Sequence, residues 1–252
     1  MRGLAEKSVI VTGGGSGIGR AAALLLAEAG CKVTIGDLSQ ANARAVADEI
    51  TAAGGIAQAV AANVAKEDEV RALVDAAVKA YAGLDGAINA AGVPQAGKLA
   101  HEVSLEEWDR CHGVNLRGLF LCNKYEIIAM LASGGGSIVN IASTAASVGF
   151  PDGADYAASK GGVVGFVRGP AIDYATQGIR INAILPGGTL TPMLKGAMEN
   201  DPGLEPALAA VHPMHRFGQP EEIAAAARFL ISDEASFVTG AAYAVDGGHT
   251  CI

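Results

Sequence analysis

Short apolar, β-branched runs alternate along almost the whole chain with longer segments of helical spacing, and that alternation leaves few folds open. Ser8-Val9-Ile10-Val11-Thr12 reads as a buried strand, 17–29 as a helix, and Lys32-Val33-Thr34-Ile35-Gly36-Asp37 as a second strand. Ser39 is placed to cap a helix reaching about residue 53. A third strand at 56–62 precedes a helix at 67–81, where Val70, Leu73, Val74, Ala77 and Val78 recur at three-four spacing. Further strands are expected at 84–90, 137–141, 179–185 and 241–245, with helices at 105–131 and 155–176 between them. Strands alternating with helices require a parallel sheet covered on both faces, and continuously apolar strands agree with burial on both sides.

Length alone leaves one or two domains open, but no composition shift marks a linker in the 252 residues. The expectation is one domain over 1–252. Half the residues are hydrophobic and the net charge is −8, which disfavours a nucleic-acid binder and suits a small or neutral ligand. No apolar run reaches the ~20 residues needed to cross a bilayer. The N-terminus enters a strand without the apolar core of a signal peptide, so a cytoplasmic protein is expected. Cys31, Cys111, Cys122 and Cys251 form no close pair and read as buried or incidental thiols. His212 and His215 invite a metal reading, but no acidic or thiol partner sits at a ligand spacing, and no metal is expected.

Thr12-Gly13-Gly14-Gly15-Ser16-Gly17-Ile18-Gly19 lies between the first strand and the first helix. Glycines at 13, 17 and 19 let backbone N–H groups approach a pyrophosphate at a helix N-terminus. With the alternation, this is the pattern of a Rossmann-type, doubly wound α/β sheet of about seven parallel strands with helices on both faces. Asp37 closes the second strand 18 residues after Gly19, where a carboxylate can accept from ribose hydroxyls and repel a 2′-phosphate. Neither Ser16 nor Leu38 brings a compensating positive charge, and Arg20 could equally face solvent. NAD is therefore favoured over NADP.

Tyr156 and Lys160 are four residues apart on one expected helix, with Ser143 thirteen positions upstream. Residues at that spacing share a face. A phenol beside an ammonium is easier to deprotonate, so the pair is a candidate acid/base centre. On these residues the chain resembles a short-chain dehydrogenase/reductase of the compact, single-domain type. The likeness rests on Thr12-to-Gly19, Asn89-Ala90-Ala91-Gly92, Asn115, Ser143, Tyr156, Lys160, Pro186-Gly187 and Asp246-Gly247-Gly248.

The resemblance implies that Tyr156 exchanges the alcohol proton, that Lys160 holds the nicotinamide ribose and lowers the Tyr156 pKa, and that Ser143 steadies the substrate oxygen. It implies that Asn115 positions a water leading from Lys160 to solvent. Asn89, Ala90 and Gly92 would lie near the cofactor ribose. Asn63 and Val64 would flank the adenine, with Asn63 in place of the commoner aspartate. Thr189 and Thr191, after Pro186 and Gly187, would meet the carboxamide. A homotetramer is also implied.

Segment 187–219 carries prolines at 192, 202, 206 and 213 and is the least regular stretch, expected to be a flexible substrate lid. Pro94, Gln95, Thr144, Ala145, Phe150, Gly187, Gly188, Met193, Leu194, Met198 and Val211 are the expected pocket positions. They are mostly apolar, which favours a neutral, cyclic or bulky secondary alcohol or its ketone. Gly92-Val93-Pro94-Gln95-Ala96-Gly97 and parts of the lid resemble bacterial dehydrogenases of cyclic diols. An NADPH-dependent ketone or 3-oxoacyl reductase is the alternative enzyme. A non-catalytic dinucleotide sensor would keep the glycines but has no need of Ser143, Tyr156 and Lys160. Trp108 is expected to be a packing residue on the long helix, and Pro170, inside the helix of Lys160, to kink or end it near Arg168.

Overall fold

The computed structural model describes residues 1–200 and 203–251. Seven strands form one parallel sheet: β1 (Ser8–Thr12), β2 (Lys32–Asp37), β3 (Ile56–Ala61), β4 (Gly86–Asn89), β5 (Gly136–Ile141), β6 (Ile179–Pro186) and β7 (Ala242–Val245). Their order is β3-β2-β1-β4-β5-β6-β7. The chain winds outward from β1 to β3, then crosses back to place β4 on the other side of β1. Connections leaving β1 and β4 therefore diverge and open a crevice at the carboxyl ends of the strands.

The side-chain alternation of a strand explains the two cores. On β1, Val9 and Val11 pack toward α1 (Gly17–Glu28), α2 (Gln40–Ala52) and the helix Pro220–Ile231. Ile10 points the other way, toward α3 (Glu67–Tyr81) and the helices that follow β4 and β5. Burial on both sides holds for the inner strands only. β3 and β7 are edges, with Ile56 and Tyr243 nearly half exposed.

Three expectations are corrected. The helix expected at 105–131 is interrupted. α4 (Leu105–His112) and α5 (Leu119–Ser133) are joined by a π-helical turn, Gly113–Gly118. Gly118 permits the close approach there, since a Cβ on it would stand 2.9 Å from Val64. The helix bearing Lys160, α6 (Ala154–Asp173), does not end near Arg168 but runs through Pro170. Proline removes only the bond to the carbonyl four residues back, and Tyr174 N–H still donates to the Pro170 carbonyl at 3.0 Å.

Segment 187–219 is more regular than expected, with α7 (Pro192–Asn200) and α8 (Leu204–Ala210) ahead of α9 (Pro220–Ile231). Pro192 opens α7, and Pro206 sits in the first turn of α8, where N–H groups have no intrahelical partner to lose. The proline at 202 lies outside the described residues. Trp108 packs on its own helix. It is 40% exposed and stacks on His112.

Between β1, β4, β5 and α5 lies a buried polar network. Thr12 Oγ1 donates to Asn89 Oδ1, and Asn89 Nδ2 donates to Glu126 Oε2 at 2.8 Å and Asn140 Oδ1 at 3.1 Å. Asn123 and Asn140 exchange amide bonds. Glu126 is 1% exposed, and its other oxygen has no partner among the described residues. Burial pushes its carboxyl up to about 8, opposed by the Asn89 bond.

A carboxyl raised on folding contributes stability that is full below its free value and is lost as pH rises through about 8. Glu126→Gln removes this dependence. In melting experiments between about pH 5 and pH 9, the variant should gain on the wild type as pH rises. Parallel curves would contradict a neutral buried Glu126.

Candidate active site

The expected cofactor positions lie at or just after the carboxyl ends of the strands, apart from Tyr156 and Lys160, which are in α6. Register sets Thr12 opposite Gly36 on β2 and Asn89 on β4, so the glycine loop starts level with the ends of both neighbours. Gly13 has φ +64°, and a Cβ on it would stand 2.8 Å from the Ala91 backbone. A Cβ on Gly19 would collide with the Gly13 carbonyl, which is how α1 starts so close to the sheet. The loop thus presents bare backbone and a helix N-terminus, a cradle fitted to phosphate.

Asp37 Oδ2 accepts from Gly15 N–H at 2.9 Å, and Oδ1 accepts from Ser39 N–H at 2.8 Å. Ser39 caps α2 through Asn42 N–H, as expected. The carboxylate is thereby aimed across the glycine loop with lone pairs to spare. Arg20 lies at the surface, where one guanidinium nitrogen donates to both carboxylate oxygens of Glu49 of α2. Leu38 is 75% exposed, and Ser16 is exposed at the start of α1.

Tyr156 and Lys160 share one face of α6, with the ammonium 5.7 Å from the phenol ring centroid. Lys160 is buried and donates to the Ile141 carbonyl at 2.8 Å, where β5 ends just before Ser143. Phe150 meets the Tyr156 ring edge-on at 6.3 Å. The expected lowering of the Tyr156 pKa is not found in the protein alone. Burial pushes the phenol up to about 12, with the Ser143 hydroxyl working the other way. Burial also brings Lys160 down to about 8, so the ammonium gives the phenol little help.

Two of the expected site residues have side chains engaged within the protein. Asn115 sits in the π turn with its side chain committed. Oδ1 accepts Val93 N–H at 2.8 Å, and Nδ2 donates to the Val93 carbonyl at 3.0 Å. Any hold on a water falls to the Asn115 backbone. The Asn89 side chain belongs to the buried network and not to a ribose. Asn63 Oδ1 accepts from Ala65 N–H, and Val64 is buried against Val70, Leu121 and Cys122. Ala90 N–H donates to the Thr12 carbonyl, and Ala91 and Gly92 lie beside Gly13 and Lys160.

From Pro186 the chain passes through Gly187 and Gly188 to Thr189, whose hydroxyl folds back on the Gly187 carbonyl. Thr191 reaches the glycine loop, its methyl 3.2 Å from a Cβ built on Gly17.

Of the expected pocket positions, Thr144 and Ala145 are buried, Gln95, Phe150, Leu194 and Met198 half-buried, and Pro94, Met193 and Val211 exposed. Three residues with no sequence motif support this region. Asp155, fully buried, accepts Ala96 N–H at 3.0 Å, and Arg110 reaches the Pro94 carbonyl. His212 meets Gly188. A carboxylate directly before Tyr156 was the one visible hint of the first.

Residues 13–250 match a family model described as enoyl-(acyl carrier protein) reductase. The 2,5-dichloro-2,5-cyclohexadiene-1,4-diol dehydrogenase of Sphingobium indicum is 49% identical over the whole of both chains. The chain belongs to the short-chain dehydrogenase/reductase family. A cyclohexanol dehydrogenase of Acinetobacter sp. is 43% identical over 97% of this chain and 95% of its own. Among solved structures, levodione reductase superposes with a TM-score of 0.95 at 36% identity, covering 98% of each chain. A 3-ketoacyl-(acyl-carrier-protein) reductase from Brucella melitensis, complexed with NADH, gives 0.91 at 38% identity, covering 98% of this chain and all of the other.

As a short-chain dehydrogenase/reductase, the chain is an oxidoreductase of the alcohol dehydrogenase/ketoreductase type, using a nicotinamide dinucleotide. No helix among the described residues is long and apolar enough to span a membrane.

Lys160 sits buried with its value below that of a free lysine, so its charge costs stability that returns as pH rises from about 8 toward the ordinary 10.5. Lys160→Met should raise the melting temperature of the cofactor-free protein at about pH 7, with a gain that shrinks by about pH 10. A destabilised variant at neutral pH would show that the charge is compensated.

Proposed function

We propose that the chain interconverts a neutral, cyclic or bulky hydrophobic secondary alcohol and its ketone, with NAD as cofactor. The observation that carries this reading is the placement of Tyr156 and Lys160 on one face of α6 beside Ser143, at the sheet edge that also carries the glycine cradle and Asp37. The nicotinamide would take or give the hydride. Tyr156 takes the proton from the alcohol, or donates it to the ketone. Ser143 holds the substrate oxygen as its charge changes. Lys160, which donates to the Ile141 carbonyl in the protein alone, would hold the nicotinamide ribose.

A phenol at about 12 is a poor base. The cofactor's positive ring and a Lys160 ammonium held by ribose hydroxyls both bring it down, so proton transfer is coupled to cofactor occupancy.

The adenosine end supports NAD over NADP. Asp37 would sit where a 2′-phosphate has to go, and Arg20, the nearest candidate cation, is paired with Glu49. This also argues against the NADPH-dependent 3-oxoacyl reductase. The half-buried Leu194, Met198 and Phe150 favour an uncharged ring, in keeping with relatives named for cyclohexadiene-diol and cyclohexanol oxidation. Residues 1–252 act as one catalytic domain, with 187–219 as the substrate lid. We place the enzyme in the cytoplasm as a homotetramer.

Tyr156→Phe should abolish NADH formation from cyclohexanol-type alcohols while NADH still binds. Residual turnover near the wild-type level would remove Tyr156 from its role. Asp37→Ala should raise the Michaelis constant for NAD and narrow the NAD/NADP preference by about tenfold or more, the scale of a lost charge-assisted hydrogen bond. An unchanged ratio, measured with both cofactors, would sink the assignment.

A further inference from the structure

We infer that His212 is a positioning residue for the nicotinamide-facing loop, through a hydrogen bond that takes over where the sheet stops. Gly187 N–H makes the last ladder bond of β6, to the Val245 carbonyl at 3.1 Å. The next amide, Gly188 N–H, lies beyond the sheet and donates to His212 Nε2 at 2.9 Å. An amide N–H can only donate, so Nε2 must carry a lone pair, and the ring proton sits on Nδ1. The imidazole is 2% exposed and is wedged against both glycines. A Cβ on Gly187 would stand 2.8 Å from Nε2, and one on Gly188 3.1 Å from Cε1. No larger residue fits either position with the histidine in place.

This contact sets the direction in which the chain leaves the sheet. Gly188 is tied on its other side as well, its carbonyl accepting from Gly218 N–H at 2.9 Å, while Leu190 N–H donates to the Gly218 carbonyl at 3.0 Å. The two stems of segment 187–219 are therefore bonded together at Gly188, with His212 and Phe217 packed edge to face against it. Three residues further on, Thr191 touches the glycine loop at Gly17. The span from Gly187 to Thr191 bridges from the end of β6 to the phosphate cradle, and in the placement proposed above the nicotinamide end of the dinucleotide would lie against it, toward Tyr156. An error in the exit angle at Gly188 is carried directly to that end. The adenosine end, at Asp37, lies on a separate stretch of chain and is indifferent to it.

The inference rests on the cofactor placement proposed above, and the test separates the two. NADH and ADP-ribose share the adenosine, the pyrophosphate and the second ribose, and only NADH carries the nicotinamide ring. Calorimetric titration of both probes is run on the wild type, His212→Phe, which keeps the ring and loses the acceptor, and His212→Gln, which offers an amide oxygen near the Nε2 position. His212→Phe should lose about tenfold in NADH affinity, the scale of one hydrogen bond, with ADP-ribose affinity unchanged. His212→Gln should recover most of the loss. His212→Leu repeats the measurement if the phenylalanine variant does not fold.

Equal losses for both probes would mark His212 as merely structural, and no loss for either would make the bond irrelevant. Each result overturns the inference. A wild type that binds neither probe would instead bring down the cofactor reading itself.

Discussion

Parallel pairing of β1 with β2 on one side and β4 on the other fixes Thr12 level with Gly36 and Asn89, and every functional distance follows from that register. A parallel sheet ends all its strands at one edge, so each loop that leaves it starts from the same plane. The glycine loop, Asp37, the Ala90–Gly92 turn, Ser143 and Gly187 are neighbours for this reason, although 174 positions separate the first glycine from the last. A slip of one residue between β1 and β4 would exchange the two core faces and bury the wrong half of each strand.

The register is locked by more than backbone. Thr12, Asn89 and Asn140 sit side by side on three adjacent strands, and their side chains bond across the sheet, joined by Asn123 and Glu126 from α5. Buried polar groups that satisfy one another penalise every arrangement in which they are separated. Glu126 is the costly member, kept acceptable by staying protonated. The network stands directly beneath the crevice and ties the fold of the phosphate cradle to the helix that begins at the π turn.

Much of this was legible in the chain. All seven strands and the helix Glu67–Tyr81 follow from apolar runs and three-four spacing, because burial selects those patterns locally. Gly13, Asp37, Tyr156 and Lys160 were visible because each belongs to a motif whose members lie close in sequence. What stayed hidden depends on partners far along the chain. Asn89 looks like a cofactor ligand until Glu126, 37 positions away, is seen to hold it. The π turn ends at Gly118, which lies close against Val64, and the periodicity of 105–131 carries no trace of it. The depression of the Tyr156 pKa, read from spacing, does not arise in the protein alone, because spacing gives proximity and says nothing of dehydration. Burial raises the phenol and lowers the ammonium, and both shifts oppose the pairing that spacing suggests.

The amide of Asn115 grips Val93 by both its N–H and its carbonyl, the same two-handed bond that a neighbouring strand would supply. In effect β4 is extended past the sheet by a side chain impersonating a strand. Asp155 continues the support at Ala96. The path of residues 93–96 is thus dictated from outside, and the identities at 94 and 95 are left free. Such a rail lets one scaffold exchange the side chains that greet a substrate while the backbone beneath them holds its course.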